Sequence, residues 1–157
     1  MNATNQRALM QTHYAALHNF YAYVLEHTGF DAIALGSGSQ SFYFHDDQGP
    51  FFRPNPVMVQ WLAKEKLAEN CWLVITANAR PVLLFYQPED FWHAATPAPE
   101  GMEDVLAVEV FTDAQALTAR LNALLFSGDN GKRVAQICQN SDNINSECTH
   151  KHSNVIH

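Results

Sequence analysis

Residues 71–86 read CWLVITANARPVLLFY, and this stretch decides the fold. It contains two runs rich in β-branched, leucine and aromatic residues, 71–76 and 82–86, joined by five residues that end in Arg80-Pro81. Two such runs around a short connection predict an antiparallel β-hairpin. Both runs are apolar at nearly every position, so both faces of the hairpin must be covered. This pattern is typical of the middle of a sheet in an α/β domain.

The residues before the hairpin fit the same class of fold. Thr4–His27 places apolar residues three and four positions apart, which predicts an amphipathic helix ending at Gly29. Residues 31–35 predict a short buried strand that ends at Gly36-Ser37-Gly38-Ser39. That turn lacks both the glycine spacing of a dinucleotide-binding loop and the lysine of a P-loop, so we do not expect it to bind phosphate.

The sequence patterns that predict helices and strands on either side of the hairpin are shorter than the hairpin itself. We predict one helical turn around Val59–Leu62 and a strand over Val105–Phe111. Thr112 and Gln115 fit a capping box that begins a helix running through Leu125. Arg133–Cys138 predicts a last strand.

The amino-acid composition indicates how the chain is divided into domains. The chain has 157 residues, 47% of them hydrophobic, enough for one globular domain with its own core. From residue 139 onward Asn, Ser and other polar residues dominate, and such a composition buries too little surface to hold a fixed structure. We therefore predict a domain over 1–138 and a polar, flexible tail over 139–157.

The charge and the cysteine content of the chain limit which classes of partner and which cellular compartment we expect. A net charge of −7 with only nine Lys and Arg argues against nucleic acid or an anionic membrane surface as a partner. No apolar run approaches the roughly 20 residues that span a bilayer, and the N-terminus lacks the pattern of a secretory signal. Three scattered cysteines form no disulfide framework, so we expect a cytoplasmic protein.

Two segments bring acids, histidines and aromatic residues together. The first is an irregular, proline-rich loop that contains Phe44-His45-Asp46-Asp47. The second follows the hairpin directly and contains Asp90-Phe91-Trp92-His93. Asp46, Asp47, His45 and His93 are candidates for general acid–base chemistry. The alternative is that the acids are simply solvated while the aromatic residues pack against the end of the sheet.

Other chemistries have weaker support in the sequence. Cys148, His150 and His152 have the residue types of metal ligands, but their spacing matches no paired-ligand motif. A small metal-binding protein that uses this tail is therefore kept as an alternative hypothesis. There is no Gly-x-Ser-x-Gly nucleophile motif, and Cys71, at the start of a buried strand, is predicted to be inert.

Several short motifs, in a fixed order, resemble one known family. They include Asp31-Ala32, Ser37-Gly38, Phe44-His45-Asp46-Asp47, Pro50-Phe51, Asn55-Pro56, Trp61, Asn70-Cys71-Trp72 and Phe85-Tyr86-x-Pro88-x-Asp90-Phe91-Trp92-His93. Between about Gln6 and Arg133 the chain closely resembles the N-terminal domain of bacterial Xaa-Pro dipeptidases, or prolidases. The most specific parts are the Asp46-Asp47 loop and the segment that ends in His93.

The resemblance implies a fold and limits the chemistry. It implies the creatinase/prolidase N-terminal domain, a three-layer α/β/α arrangement around a mixed β-sheet. Complete relatives add a "pita-bread" catalytic domain that holds two divalent metals, usually manganese, which activate a water molecule. This sequence contains none of the associated Asp-Ala-Gly, His-Gly-x-Gly-His or Glu-Pro-Gly motifs. We therefore expect no metal site in this chain and no peptidase activity from it alone.

The resemblance also implies a site shared between subunits. In such relatives this domain builds the dimer, and its acidic loop reaches the active site of the opposite subunit. Asp47 matches the acid that bounds that substrate pocket, and Asp46 is its neighbour. Phe44, His45, Trp92 and His93 are then possible pocket or interdomain residues. The expected partner is a second copy or a prolidase catalytic domain.

A free-standing binding or assembly module derived from a prolidase is the alternative function. Here Phe51, Phe52, Trp61, Phe91 and Trp92 would form an exposed apolar patch that seeks a partner. The residues after Gln139 do not resemble the helix and linker of the family, which fits a truncated, frameshifted or divergent domain.

Overall fold

A computed structural model of the chain describes residues 3–39, 51–63, 66–89, 96–126 and 132–138. The elements in these ranges, in chain order, are α1 (Ala3–Thr28), β1 (Ala32–Gly36), α2 (Pro56–Val59), β2 (Trp72–Ile75), β3 (Val82–Tyr86), β4 (Ala107–Phe111), α3 (Ala114–Phe126) and β5 (Val134–Ile137). None of these helices is long and apolar enough to cross a membrane.

The described strands form one mixed sheet in the order β4-β3-β2-β1-β5. β2 pairs antiparallel with β1 and with β3, and its register places Leu73 opposite Leu35 on one side and Leu83 on the other. The two outer strands pair in parallel, β5 with β1 and β4 with β3. The predicted antiparallel hairpin is therefore confirmed, and both of its strands lie inside the sheet.

The two faces of the sheet carry separate hydrophobic clusters. On one face, Ile33, Leu73 and Phe85 pack with residues of α1 and α2. On the other face, Ala34 and Trp72 pack with three leucines of α3, and these are Leu117, Leu121 and Leu125. Successive residues of one strand thus enter opposite clusters, as the alternation of side chains along a strand requires. The result is the predicted three-layer α/β/α arrangement.

Helix α1 is held against the sheet by aromatic side chains. The Tyr14 ring stacks on Trp61 with a centroid distance of 6.1 Å, and the Tyr21 ring lies 5.7 Å from the same indole. The Tyr14 hydroxyl, in a buried position, donates a hydrogen bond of 2.7 Å to the Trp61 carbonyl oxygen. Two histidines add ring-to-carbonyl hydrogen bonds, His13 to Gln60 and His18 to Thr76.

Two predicted helix starts need correction. The helical turn expected at Val59–Leu62 begins earlier, because Asn55 caps α2 and Pro56 occupies its first turn. The capping box expected at Thr112 and Gln115 is wrong by one residue, since the carboxylate of Asp113 accepts the Ala116 N–H at 2.7 Å. An Asp side chain that accepts a backbone N–H three residues on is an ordinary N-cap.

The Tyr14 hydrogen bond gives a direct test of how α1 is attached. Tyr14→Phe keeps the ring but leaves a buried carbonyl without this donor, so we expect a loss of about 1–2 kcal/mol in the free energy of unfolding. Tyr23→Phe is the matched control, because Tyr23 lies on the same helix and is mostly exposed. The measurement is urea denaturation of both variants. Equal stabilities would show that the aromatic packing alone holds the helix.

Candidate functional site

The strand directions bring several chain segments to one end of the sheet. β1, β3, β4 and β5 all run towards this end, and β2 starts there. We call it the loop end, and its described residues are 36–39, 70–72, 86–89, 111–113 and 137–138. The connections that carry the candidate site residues leave from here.

Ser37 is the centre of the hydrogen bonding at the loop end. Its side chain is fully buried. Its hydroxyl accepts the Cys71 N–H at 2.9 Å, and its own N–H donates to the Cys71 carbonyl at 2.9 Å. Its carbonyl oxygen accepts the Asn55 N–H at 2.9 Å. Ser37 thus ties the end of β1 both to the start of β2 and to the returning end of the loop.

Asn55 fixes that returning end from the other side. It is 3% exposed, and its side-chain oxygen accepts the Val57 N–H at 3.0 Å while its amide nitrogen donates to the Ile137 carbonyl at 3.4 Å. One side chain therefore joins the loop to α2 and to β5. We did not predict this role from the sequence, although Asn followed by Pro is a recognised helix-start signal.

The connection that follows β3 is also held by hydrogen bonds at the loop end. The Gln87 N–H donates to the Phe111 carbonyl at 2.8 Å, which continues the pairing of β3 with β4. The Gln87 side-chain amide donates to the Thr96 carbonyl, also at 2.8 Å. Because Gln87 belongs to the loop end, this bond keeps Thr96 near it.

The candidate residues themselves lie outside the described ranges. Asp46, Asp47, Phe44 and His45 belong to residues 40–50, and Trp92 and His93 belong to residues 90–95. Among the described residues that flank them, Gly38 and Asn55 on the two sides of the first segment, and Gln87 and Thr96 on the two sides of the second, are hydrogen-bonded at or beside the loop end. Both segments are therefore flanked by residues at the same end of the sheet. The tail residues Cys148, His150 and His152 also lie outside the described ranges.

The described polar groups at the loop end are structural rather than reactive. The Ser37 hydroxyl is engaged by backbone groups, as given above. The Cys71 thiol is fully buried and accepts the Tyr86 N–H at 3.3 Å. Burial raises the pKa of the Cys71 thiol to about 11, so it stays protonated and unreactive at neutral pH, as predicted. Within the described ranges, no three His, Cys, Asp or Glu side chains form a group that could hold a metal ion.

The apolar patch expected for a binding module is only partly supported. Phe51 is 94% exposed, and Phe52 beside it is half-buried. Trp61 does not belong to such a patch, because it is 1% exposed and packs between Tyr14 and Tyr21. Phe91 and Trp92 lie outside the described ranges.

Removal of the Ser37 hydroxyl should loosen the junction between the end of β1 and the start of β2. In Ser37→Ala the buried Cys71 N–H loses its partner, and we expect a loss of about 1–3 kcal/mol in unfolding free energy and faster hydrogen exchange at the Cys71 amide. Thr28→Ala is the control, since it removes a hydroxyl bonded to the Val24 carbonyl at an exposed position. Unchanged exchange at Cys71 would contradict this account of Ser37.

The raised pKa of Cys71 predicts a loss of stability at alkaline pH. The folded thiol titrates near 11 and the unfolded thiol near its ordinary value of 9.0. Its contribution is therefore complete below pH 9 and falls as the pH rises towards 11, by about 2–3 kcal/mol in total. The measurement is the unfolding free energy of the wild type minus that of Cys71→Ala between pH 7 and pH 10.5. Burial also raises the pKa of Tyr14 and Tyr21, and the difference between the two proteins removes their effect. A difference that does not change with pH would refute the prediction.

Comparison with known proteins gives one consistent family. The family model described as "Xaa-Pro dipeptidase, N-terminal domain" matches residues 8–155. The Xaa-Pro dipeptidase of Pectobacterium atrosepticum is 30% identical over 145 residues, which cover 89% of this chain and 32% of the relative. That of Pseudoalteromonas atlantica is 32% identical over 114 residues, covering 72% of this chain and 26% of the relative. That of Stenotrophomonas maltophilia is 35% identical over 94 residues, covering 60% and 21%.

The chain therefore spans about a fifth to a third of the length of these curated relatives. The family match includes the loop that contains Asp46 and Asp47, the segment that contains Trp92 and His93, and most of the residues after 138. With a match over nearly its whole length, the chain belongs to the family of Xaa-Pro dipeptidase N-terminal domains.

Proposed function

We propose that this chain is the non-catalytic N-terminal domain of an Xaa-Pro dipeptidase, which supports dimerisation and shapes the substrate pocket of the partner subunit. The observation that carries the proposal is the position of the two connections. Gly38, Asn55, Gln87 and Thr96, which flank the two segments rich in acids and aromatic residues, lie at or beside the loop end. Attachment of both segments at one end of the sheet supports a shared role for them.

The chemistry of the presented segments suits a dipeptide. A dipeptide carries a free, positively charged amino group, and a carboxylate is its natural hydrogen-bonding partner. Asp47 is assigned to this contact and Asp46 stands beside it. Phe44, His45, Trp92 and His93 are assigned to the wall of the pocket or to the surface between domains.

The described part of the domain also supports a non-catalytic role. Ser37 and Cys71 have side chains of the nucleophile type and are buried at the loop end. Both side chains accept hydrogen bonds from backbone N–H groups of the sheet. We assign no metal to this chain. In the complete enzyme, catalytic chemistry belongs to the remaining two thirds or more of the relatives' length.

We place the domain in the cytoplasm, with a second copy or a prolidase catalytic domain as its partner. Its net charge of −7 favours neither nucleic acid nor an anionic membrane. A free-standing binding module is the second candidate function. It is favoured by Phe51, which is 94% exposed at the end of the acidic loop.

A chimaeric enzyme tests the role of Asp47. The chain replaces the N-terminal domain of the Pectobacterium atrosepticum relative, and Asp47→Asn removes the charge without changing the shape. Loss of a charge-assisted hydrogen bond of about 1.5–3 kcal/mol should raise KM for an Xaa-Pro dipeptide about 10- to 100-fold. The matched control is Glu100→Gln, an exposed acid on another loop. The isolated chain, with added manganese, should hydrolyse no Xaa-Pro dipeptide.

Mixed dimers decide whether the contact is made across the subunits. An Asp47→Asn subunit is paired with a subunit that keeps Asp47 but has an inactive catalytic part. If Asp47 acts in the partner's pocket, the working site of this mixed dimer shows the low KM of the unmutated chimaera. A KM that Asp47→Asn leaves unchanged, or turnover by the isolated chain, would refute the proposal.

A further inference from the structure

The chain comes back from the acidic loop to the sheet through residues 51–55, which we call the returning stem. Phe51, at its start, is 94% exposed, whereas Pro54 and Asn55, at its end, are buried. Asp47 precedes Asn55 by eight positions in the chain. The returning stem is therefore anchored to the fold at its Asn55 end.

Each polar atom of Asn55 is hydrogen-bonded to a different group of the fold. Its N–H donates to the Ser37 carbonyl oxygen at 2.9 Å, and its own carbonyl oxygen accepts the Met58 N–H at 3.0 Å. Its side-chain oxygen Oδ1 accepts the Val57 N–H at 3.0 Å. Its amide nitrogen Nδ2 donates to the Ile137 carbonyl oxygen at 3.4 Å. One residue is thus tied to the end of β1, to α2 and to the end of β5.

Capping of α2 explains only part of this side chain. An N-cap needs an oxygen that accepts a backbone N–H, and Ser or Asp serves that purpose as well as Asn does. The Nδ2 group takes no part in the cap, and it donates to β5 instead. Asn55 therefore has a second task, which is to fix the returning stem against the end of β5.

Prolines on both sides of Asn55 make this anchor stiff. Pro54 and Pro56 have φ angles fixed by their rings, and Pro56 also keeps the residue before it out of the helical region. Asn55 accordingly has φ −51° and ψ 125°. Because rotation about these bonds is restricted, a shift of Asn55 is passed along the returning stem towards the acidic loop.

We infer that Asn55 is a positioning residue for the contact between Asp47 and the substrate, and that its bond to Ile137 sets the position of the acidic loop. This inference rests on the proposed function, which assigns the amino group of the dipeptide to Asp47. Asn55 acts through Asp47 and does not touch the substrate. A charge-assisted hydrogen bond depends on its distance and angle, so a displaced loop weakens this bond while the charge remains.

Steady-state kinetics of the chimaeric enzyme with variants of Asn55 tests the inference. Asn55→Ser keeps a capping oxygen and both backbone bonds but removes the donor to Ile137. Asn55→Asp keeps the size and the capping oxygen and replaces the same donor by an oxygen. Both variants should raise KM for an Xaa-Pro dipeptide about 3- to 10-fold. Because only binding of the substrate is weakened, kcat should stay unchanged.

The increase in KM should be smaller than that caused by Asp47→Asn. The charge of Asp47 is retained in both Asn55 variants, and the bond to Ile137 is longer than the usual length of about 2.7–3.2 Å. If the buried charge of Asn55→Asp prevents folding, Asn55→Ser carries the test. Circular dichroism of each variant shows whether the fold is retained.

A double-mutant cycle separates positioning from a merely structural role. If Asn55 acts through Asp47, Asn55→Ser should leave KM unchanged in a chimaera that already carries Asp47→Asn. Tyr14→Phe is the matched control, because it also removes a buried side-chain donor to a carbonyl oxygen, but on α1. This control should leave KM unchanged, since a loss of stability alone reduces the fraction of active enzyme.

The outcomes distinguish this inference from the proposed function. If Asp47→Asn raises KM and the folded Asn55 variants do not, the positioning role of Asn55 is refuted and the proposed function stands. The same conclusion follows if Asn55→Ser raises KM equally with and without Asp47. If Asp47→Asn itself leaves KM unchanged, the proposed function is refuted. An increase in KM that requires Asp47 supports the inference.

Discussion

The central strand β2 imposes the main constraint on this domain, because all four of its residues are buried. A strand buried on both faces needs a helical layer on each side and a paired strand along each edge. α1 and α3 supply the layers, and β1 and β3 supply the pairs. Outside this core, β4 and β5 complete the sheet as parallel partners of β3 and β1. That arrangement directs four strand ends to the loop end.

A second constraint acts at the loop end, because buried polar groups must be hydrogen-bonded. Ser37 and Asn55 are the two polar side chains in the described ranges with almost no exposure. Both are satisfied by backbone groups of neighbouring segments. The same bonds fix the base of the acidic loop, so satisfaction of the core and placement of the loop are one structural feature. The buried polar groups described at the loop end are therefore used by the fold itself.

The two sides of helix α1 have different surroundings. Its inner side is occupied by Tyr14 and Tyr21, which pack on Trp61. Its outer side keeps a row of apolar residues in contact with solvent.

The sequence by itself determined the local elements and the family. The apolar runs at 71–76 and 82–86 predicted the hairpin, the spacing in α1 predicted the helix, and the ordered motifs predicted the N-terminal domain of a prolidase; all three are confirmed. These features depend on residues that are close in the chain. The roles of Asp46, Asp47, Phe44, His45, Trp92 and His93 stay predictions, since they lie outside the described ranges.

Only the tertiary structure decided which distant residues meet. It placed Trp61 in the core instead of an exposed patch, made Asp113 the cap of α3, and joined Ser37 to Cys71 and Asn55 to Ile137. The last two contacts link residues 34 and 82 positions apart. No local pattern encodes such pairs, because they form only when burial of β2 fixes the order of the strands. The acidic loop was visible in the sequence, but the hydrogen bonds of Ser37 and Asn55 that hold the chain on its two sides follow from the sheet.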